Sequence, residues 1–158
     1  MKKIIIAAIS ENYVIGKDGS IPWYSEKELN HFREETINFP VLMGRKTFAS
    51  LEKPLSERIN IVLSRVGDNT FRGDNTYIFN SISEVYDFCN KNKLTKLFII
   101  GGSEIFTQFI NKVDEILISR MKFTIEGDSI FPKIDPSIWE LTSREDFEEF
   151  SFEKYRKV

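Results

Sequence analysis

The sequence is poor in the residues from which disulfides, metal centres and nucleophilic sites are built. Its 158 residues include one cysteine, Cys89, and one histidine, His31. A single cysteine excludes an internal disulfide and a cysteine-built metal site, and it fits a reducing compartment such as the cytoplasm. One histidine leaves metal-assisted and Ser/His/Asp mechanisms little to work with, so we expect no metal. The simplest interpretation of His31 is a surface or boundary residue.

Clusters of one charge and long apolar segments are also missing. The net charge is −2, and basic residues occur in no group much larger than a pair, so we expect neither a nucleic-acid partner nor a membrane partner. The apolar start at residues 4–9 is too short for a signal peptide and predicts a buried strand. With 41% hydrophobic and 29% charged residues the composition is globular, and the length predicts one domain, residues 1–158.

Short apolar runs alternate with helical patterns along the chain. Runs at 4–9, 41–43, 59–63 and 97–100 predict strands that are covered on both faces. Helices are predicted over 25–37, just after Gly44, from the capping-box pattern at Ser81, and over 103–110. This alternation predicts an α/β fold with a mainly parallel sheet and helices on both faces. Runs at 116–123, 139–142 and 150–158 predict further strands, the last two forming an antiparallel edge hairpin.

Glu28 is the carboxylate best placed for acid–base chemistry. It follows the Ile21-Pro22-Trp23 segment by five residues, on the predicted inner face of the first helix beside Leu29 and Phe32. A carboxylate in an apolar pocket has a raised pKa, which suits it to such chemistry. However, residues 25–28 also form a capping box in which Glu28 would reach back to the amide at the start of the helix. From this segment alone, capping is the simpler explanation.

Three predicted strand ends carry glycines, hydroxyls or cations. Gly101-Gly102 ends one strand, the segment 44–47 (Gly-Arg-Lys-Thr) ends a second, and Ser64-Arg65 ends a third. Glycines let a ligand approach the backbone, and helix N-termini with cations favour anions. In an open α/β sheet, ligands bind at the carboxyl ends of the strands. The pattern predicts an extended phosphorylated ligand, with tight turns and solvated cations as the alternative. None of these segments is the G-x-G-x-x-G fingerprint of ordinary dinucleotide folds.

The ordered set of motifs along the whole chain resembles dihydrofolate reductase. The motifs are Ile21-Pro22-Trp23, Glu28, Phe32, the segment 40–48, Pro54-Leu55 with Arg58, the segment 60–65, Ile100-Gly101-Gly102, and Glu126-Gly127-Asp128 with Phe131-Pro132. The resemblance implies a single-domain, eight-stranded sheet. It also implies NADPH-dependent reduction of 7,8-dihydrofolate to 5,6,7,8-tetrahydrofolate, by hydride transfer to the pterin ring with protonation of N5, in support of one-carbon and thymidylate metabolism. Antifolate inhibitors as further ligands, a cytoplasmic location and a monomeric state are implied as well.

The resemblance also implies roles for individual residues. Glu28 matches the active-site carboxylate, Ser119 matches the hydroxyl in its hydrogen-bond network, and Trp23 ends the mobile loop (residues 16–23) that closes over the nicotinamide. Arg58 matches the guanidinium that grips the glutamate tail of the substrate. The residues expected around the substrate are Ile6, Ala7, Glu28, Leu29, Phe32, Leu51, Leu55, Arg58, Ile100 and Ser119. Those expected around the cofactor are Ala8, Ile15, Gly16, Ile21, Gly44, Arg45, Lys46, Thr47, Leu63, Ser64, Arg65, Gly101, Gly102, Ser103, Glu104, Ile105 and Phe106.

The sequence departs from the family pattern at three places. Residues 24–26 (Tyr-Ser-Glu) replace a short polar or proline-bearing stretch, and Glu104 stands where several members carry a basic or neutral residue, which would weaken 2′-phosphate binding slightly. Glutamate at position 28 is a minority pattern in a chain of this length and predicts altered sensitivity to diaminopyrimidine antifolates.

Two alternative functions stay open at the level of sequence. One is a pterin or pyrimidine reductase on the same scaffold, such as the reductase of riboflavin synthesis, whose substrate has no glutamyl carboxylate for Arg58 to bind. The other is a non-catalytic nucleotide-binding module, in which Glu28 would only cap a helix.

Overall fold

The structure is a computed structural model that describes residues 1–66, 71–73 and 75–158. Within those residues the elements follow one another as β1 (Lys2–Ile9), β2 (Val14–Gly16), α1 (Glu26–Thr36), β3 (Val41–Gly44), α2 (Arg45–Ser50), β4 (Asn60–Leu63), β5 (Phe71–Gly73), β6 (Thr76–Phe79), α3 (Ile82–Lys91), β7 (Lys96–Gly101), α4 (Ser103–Phe109), β8 (Glu115–Met121), β9 (Ser129–Ile130), β10 (Trp139–Asp146) and β11 (Phe150–Lys157). In this described part of the chain, no helix is long and apolar enough to cross a membrane.

Among the described residues, nine strands form one sheet in the order β10–β11–β8–β1–β7–β3–β4–β6–β5. The six strands from β8 to β6 are parallel to one another, whereas β11 is antiparallel to both β8 and β10. The predicted α/β fold with a C-terminal antiparallel hairpin is therefore confirmed. The ninth strand, beyond the eight expected, is the three-residue β5, which pairs antiparallel with β6. Strands β2 and β9 form a separate two-stranded ribbon.

Both faces of the central strands are buried, which explains their continuous apolar runs. Along β1, Ile5 and Ile9 pack in a first core cluster with side chains of α3 and α4. Ile4 and Ile6 point the other way, into a second core cluster that also receives Phe32 of α1 and Phe48 of α2. Because successive side chains of a strand alternate between faces, a strand with helices on both sides must be apolar at nearly every position. Each fully buried isoleucine contributes about 1.5–3 kcal/mol.

Helix α1 begins and ends close to where its signals predict. Ser25 is the N-cap, with extended backbone and a side-chain oxygen that accepts a hydrogen bond from the amide of Glu28. The helix ends at Thr36, and Pro40 then precedes β3. Its buried positions are Glu28 and Thr36, whereas Leu29 is 48% exposed. The prediction that Leu29 lies on the inner face is wrong, because the buried stripe follows the four-residue spacing from 28 through 32 to 36.

The boundaries of the C-terminal hairpin differ from those predicted. β10 extends to Asp146 rather than to residue 142, and a bulge interrupts its pairing between Leu141 and Ser143. All its residues after Trp139 are exposed, so they offer little apolar pattern from which a strand could be predicted. The turn between β10 and β11 is consequently only three residues long, Phe147 to Glu149.

The parallel strands bring their carboxyl ends to one edge of the sheet. Met43 of β3 lies opposite Gly101 of β7, and Gly44 lies opposite Leu63 of β4. The three glycine-bearing or cation-bearing segments predicted from the sequence are therefore neighbours in space. This edge is where ligands bind in open α/β sheets.

Candidate active site

Glu28 lies in a small recess beneath the aromatic loop that precedes α1. The recess has a volume of about 40 Å³ and is lined by Ala8, Ile21, Trp23, Tyr24, Ser25, Glu28 and Leu29. Only 8% of Glu28 is exposed. Burial in these surroundings raises the pKa of its carboxyl from 4.5 to about 7. The group therefore changes protonation state near neutral pH, which suits an acid or base.

The capping interpretation accounts for the backbone of Glu28 but not for its carboxylate. The Glu28 amide donates to the Ser25 hydroxyl over 3.3 Å, which is the expected first half of a capping box. The second half is absent among the described residues, since the Glu28 oxygen Oε2 is buried and has no hydrogen-bond partner. An unpartnered buried oxygen costs about 1–3 kcal/mol. The helix cap alone thus leaves this acceptor unexplained.

Ser119 belongs to the sheet surface on the same side as α1. It lies on β8 directly opposite Ala8 of β1 and is 5% exposed. Its neighbours two residues away on β8, Leu117 and Met121, pack in the second core cluster, so Ser119 faces that side of the sheet. No hydrogen bond joins its hydroxyl to Glu28 within the described part of the chain. The predicted link between Ser119 and Glu28 stays a prediction.

Five of the ten residues expected around the substrate line one apolar wall. Ile6 is buried in the second core cluster, and four partly buried residues pack against the same cluster: Phe32, Leu51, Leu55 and Ile100. Two others are placed differently. Ala7 packs in the first core cluster on the opposite face of the sheet, so only its backbone can face a ligand here. Leu29 is half exposed at the mouth of the recess.

Arg58 is a buried arginine whose guanidinium is held by two hydrogen bonds. It is only 6% exposed, in contrast to the solvated arginine that a strand start would usually carry. Its Nη1 donates to the Thr36 hydroxyl over 3.0 Å and its Nε donates to the Ser56 carbonyl over 2.9 Å. Nη2 makes no hydrogen bond, and no carboxylate pairs with the guanidinium, within the residues described. Burial lowers the pKa of Arg58, the charge of Arg33 lowers it further, and Glu57 partly offsets both.

Thr36 is the residue of this site that the sequence did not indicate as functional. It is fully buried, donates to the Phe32 carbonyl over 2.9 Å and accepts from Arg58. The hydroxyl thus locks the guanidinium to the last turn of α1. The sequence showed only a threonine on the inner face of a helix. Its link to Arg58 could not be predicted, because the two residues are 22 positions apart.

The glycines at the carboxyl edge leave little room for a Cβ atom. A Cβ on Gly102 would lie 3.2 Å from the Thr47 hydroxyl oxygen, and one on Gly44 would lie 3.1 Å from Ile105. Gly101 has a φ of +124°, and a Cβ there would meet the Phe106 ring at 3.2 Å. The side chains of Thr47, Ile105 and Phe106 therefore pack directly against the backbone of these three glycines. A side chain at any of the three positions would require that packing to shift.

Three cations border the cradle formed by Gly44, Gly101 and Gly102. Arg45, Lys46 and Arg65 are all exposed, and none pairs with a carboxylate among the described residues. Arg45 and Lys46 begin α2, and Arg65 follows β4, the neighbour of β3 in the sheet. Glu104, in the first turn of α4, is also exposed and brings one negative charge to this edge. The edge is consequently positive on balance and suits an anion.

Several residues expected near the cofactor have other partners. The Ser64 hydroxyl donates to the Val66 carbonyl over 2.8 Å, and the Ser103 hydroxyl donates to the Ile130 carbonyl over 2.9 Å. The side chains of Ile105 and Phe106 are buried in the first core cluster, where Ile15 also packs and Leu63 contributes from β4. The four apolar residues thus contribute to the core, and the hydroxyl hydrogens of Ser64 and Ser103 are already donated to backbone carbonyls.

The loop between β2 and α1 is fixed at its start and more exposed further on. Gly16 belongs to the β2–β9 ribbon, and the Asp18 amide donates to the Asp128 carboxylate over 3.0 Å. Trp23 packs edge-on against Phe123 at 5.4 Å, whereas Ile21 is 55% exposed. The loop thus lies over the recess of Glu28 with an aromatic anchor at its far end.

Comparison with known proteins identifies the family to which this site belongs. The family model for dihydrofolate reductase matches residues 3–157. The chain belongs to the dihydrofolate reductase family. The match confirms the expected family, the expected reaction class and the expectation that the chain is an enzyme.

Individual dihydrofolate reductases are similar over nearly their whole length. The chain is 35% identical over 154 residues to dihydrofolate reductase of Haemophilus influenzae, covering 98% of this chain and 88% of that one. It is 35% identical over 140 residues to the Bacillus subtilis enzyme, covering 89% and 81%. A solved structure of dihydrofolate reductase from Enterococcus faecalis, complexed with NADP(H) and RAB-propyl, superimposes with a TM-score of 0.87 at 30% identity, covering 99% of this chain and 96% of that one. The dihydrofolate reductase fold is therefore shared in full.

Proposed function

We propose that this chain reduces 7,8-dihydrofolate to 5,6,7,8-tetrahydrofolate with NADPH, and that Glu28 is the catalytic carboxylate. The single observation that carries the residue assignment is the buried Oε2 of Glu28, an acceptor without a partner in the described structure, facing a recess under Trp23. A pterin ring presents adjacent N–H donors, which a carboxylate can accept side by side. Ligand binding would thus satisfy the acceptor that folding leaves unpaired.

The environment of Glu28 suits it to influence the proton that the pterin N5 must receive. Because burial raises its pKa to about 7, both protonation states are populated at neutral pH. The ionised form accepts hydrogen bonds from the N–H groups of the ring. The protonated form favours protonation of N5. A protonated imine is a better hydride acceptor than a neutral one. Ser119, on the same face of the sheet, would complete the hydrogen bonding of the carboxylate.

The residues at the carboxyl edge fit a dinucleotide phosphate. Gly44, Gly101 and Gly102 form a cradle in which added Cβ atoms would lie only 3.1–3.2 Å from neighbouring atoms. Arg45, Lys46 and Arg65 pair with no carboxylate in the described part of the chain, and they supply positive charge for phosphate groups, including a 2′-phosphate, with Thr47 at the base of the cradle. When bound, NADPH supplies the hydride. The chain supplies orientation of the two rings and exclusion of water from the recess.

Arg58 is proposed to bind the glutamate tail of the substrate. It is buried, its Nη2 has no partner, and its ionic charge is unpaired among the described residues. The half-buried Leu55 and Phe32 flank the same apolar wall. A guanidinium held in this way is preorganised for a carboxylate, since two of its nitrogens are already fixed by Thr36 and Ser56. A reductase of tail-less pterins or pyrimidines would have no use for this arrangement.

We also propose that the chain acts as a single-domain cytoplasmic monomer that binds antifolates at Glu28. One sheet spans Lys2 to Lys157, which supports a single cooperative unit. The edge strand β10 is exposed along almost its entire length and rich in charge, which discourages pairing with a second sheet. The lone Cys89 is buried and free, which suits a reducing compartment. A protonated diaminopyrimidine would meet the same carboxylate as the pterin.

The experiment that tests the proposed function follows the near-ultraviolet absorbance of NADPH. We expect it to fall on addition of dihydrofolate, with tetrahydrofolate as the product. Loss of NADPH absorbance with a tail-less dihydropterin or a pyrimidine substrate, but not with dihydrofolate, would favour the other reductases on this scaffold. NADPH binding without turnover of any of them would favour a nucleotide-binding module.

A further inference from the structure

The Ser25 hydroxyl joins two parts of the chain that are far apart in sequence. It accepts a hydrogen bond from the Glu28 amide and donates its own hydrogen to Oε1 of Glu149 over 2.8 Å. Ser25 is 4% exposed, so water has little access to its hydroxyl. A serine hydroxyl has one hydrogen, and giving it to Glu149 turns the oxygen lone pairs towards the amide of Glu28.

The turn that carries Glu149 is itself braced. The Glu149 carbonyl accepts from the Lys122 amide over 3.2 Å, and the Phe147 amide donates to the Phe150 carbonyl over 2.8 Å. The Lys122 ammonium also donates to the Phe147 carbonyl, and the rings of Phe147 and Phe150 stack at 4.9 Å. The exposed side chain of Glu149 thus extends from a fixed backbone.

The same hairpin also contacts α1 at a position after Glu28. His31, one turn after Glu28, packs edge-on against Phe152 of β11 at 4.1 Å and lies 5.9 Å from Phe150. The last turn of the helix is attached elsewhere, through the bond from Arg58 to Thr36. The N-terminal half of α1, with Glu28 in it, therefore rests on the C-terminal hairpin.

Resting on the proposed role of Glu28, we propose that Glu149 is a positioning residue for the catalytic carboxylate. It holds the Ser25 hydroxyl, and through it the first turn of α1, so that the carboxylate of Glu28 stays in its recess. Without this bond, Ser25 could turn its hydrogen to other acceptors, and the first helical turn would fray into water. A frayed first turn hydrates the carboxylate and lets it leave the position that faces the pterin.

A neighbouring residue provides a matched control. The titratable groups that line the outer side of Ser25 are Tyr24, Glu26, Lys27, Glu148 and Glu149, and His31 follows one turn later. Glu148 has the same charge as Glu149 and borders the same surface hollow outside Ser25, which is separate from the recess of Glu28. Its side chain makes no hydrogen bond or ion pair with the residues described. An effect of charge alone would be common to both glutamates, whereas an effect of the bond to Ser25 belongs to Glu149.

The test measures single-turnover hydride transfer against pH in the full chain and in Glu149→Ala, Glu149→Gln, Glu148→Ala and Glu28→Gln. We expect Glu149→Ala to slow hydride transfer at neutral pH roughly three- to tenfold. This is the factor expected if the first turn of α1 loses a stabilisation similar to that of a helix N-cap. Because water then reaches Glu28, the apparent pKa of the profile should fall by at least about half a pH unit. Glu149→Gln keeps an acceptor for Ser25 and should restore the wild-type profile to within about twofold. Glu148→Ala should match the wild type.

Two results would overturn the positioning role. One is an unchanged pH profile in Glu149→Ala, whether or not the melting temperature falls. The other is an equal shift in Glu149→Ala and Glu149→Gln, which would mark a charge effect. A different result tests the proposed function itself. If the wild-type titration persists in Glu28→Gln, the catalytic role of Glu28 fails, whatever Glu149 does.

Discussion

Replacement of Arg58 by alanine tests the substrate assignment through a side chain whose surroundings are well defined. The guanidinium is buried, is fixed by Thr36 and Ser56, and has one nitrogen without a partner in the described structure. Hydrogen bonds to charged groups contribute about 1.5–3 kcal/mol. We therefore expect Arg58→Ala to weaken dihydrofolate binding by about 2–3 kcal/mol, which corresponds to roughly 30- to 150-fold. NADPH binding should hardly change, because the proposed cofactor cradle of Gly44, Gly101 and Gly102 lies at the carboxyl ends of β3 and β7, whereas Arg58 precedes β4.

The cost to folding should be small by comparison. Thr36 loses the donor from Arg58 but keeps its own bond to the Phe32 carbonyl, so no buried hydrogen is left unpaired. We expect a loss of about 1 kcal/mol in the free energy of unfolding. Arg58→Lys keeps the charge but lacks the planar fork, and should recover only part of the affinity. Arg144→Ala, on the exposed hairpin strand, controls for removal of an arginine far from the site.

The assay compares Michaelis constants for dihydrofolate and for a dihydropterin that lacks the glutamate tail. In the wild type, dihydrofolate should bind more tightly than the tail-less dihydropterin, by about the same factor by which Arg58→Ala weakens dihydrofolate binding. In the variant, the two substrates should become nearly equal. Parallel losses for both substrates in Arg58→Ala would refute the tail-binding role and make Arg58 a structural residue.

Three further predictions follow from the cofactor edge, the ribbon and the buried carboxyl. NADPH should be preferred over NADH at least roughly tenfold, and Arg65→Ala should erode the preference through NADPH affinity in a calorimetric titration; equal use of both cofactors by the wild type would contradict this. Gly127→Ala should destabilise the chain by about 1–3 kcal/mol in urea unfolding, because its Cβ would lie 2.3 Å from Val14 and 2.6 Å from the Gly16 carbonyl; wild-type stability would contradict that packing. Because burial raises the pKa of Glu28 from 4.5 to about 7, its contribution to stability is full below pH 4.5 and is lost as pH rises through about 7. We therefore expect the free energy of unfolding of Glu28→Gln, relative to that of the wild type, to rise by up to about 3 kcal/mol between about pH 4 and about pH 8. A difference in urea unfolding that does not change with pH would rule this out.

Local signals were sufficient to predict the elements that carry them strongly. The helix from Ser25 could be located because its cap and Pro40 both mark its limits, and the strand from Lys2 because both of its faces are buried. The ribbon of β2 and β9 was missed, since strands of two and three residues contain no apolar run to detect. The strand β10 was predicted too short because all its residues after Trp139 are exposed and most of them are polar or charged.

The candidate site could be named from sequence but not assembled from it. Ordered motifs pointed to Glu28 and Arg58, yet a capping box explained Glu28 as well. Only the position of its side chain separates the two explanations, since Oε2 turns into the recess and finds no partner in the described structure. The contacts that fix the site span 22 residues for Thr36 and Arg58, and 124 for Ser25 and Glu149. No local pattern encodes separations of that size.

The most direct test of the catalytic assignment is the rate of hydride transfer in Glu28→Gln, measured by single-turnover loss of NADPH absorbance at neutral pH. General acid–base contributions run to roughly 100- to 10,000-fold, so we predict a fall within that range, with the affinity for NADPH unchanged to within about twofold. The wild-type rate should decline as pH rises through about 7, where the buried carboxyl loses its proton, and the variant should lose that dependence. A variant that transfers hydride at the wild-type rate, with the same pH profile, would show that Glu28 only caps its helix.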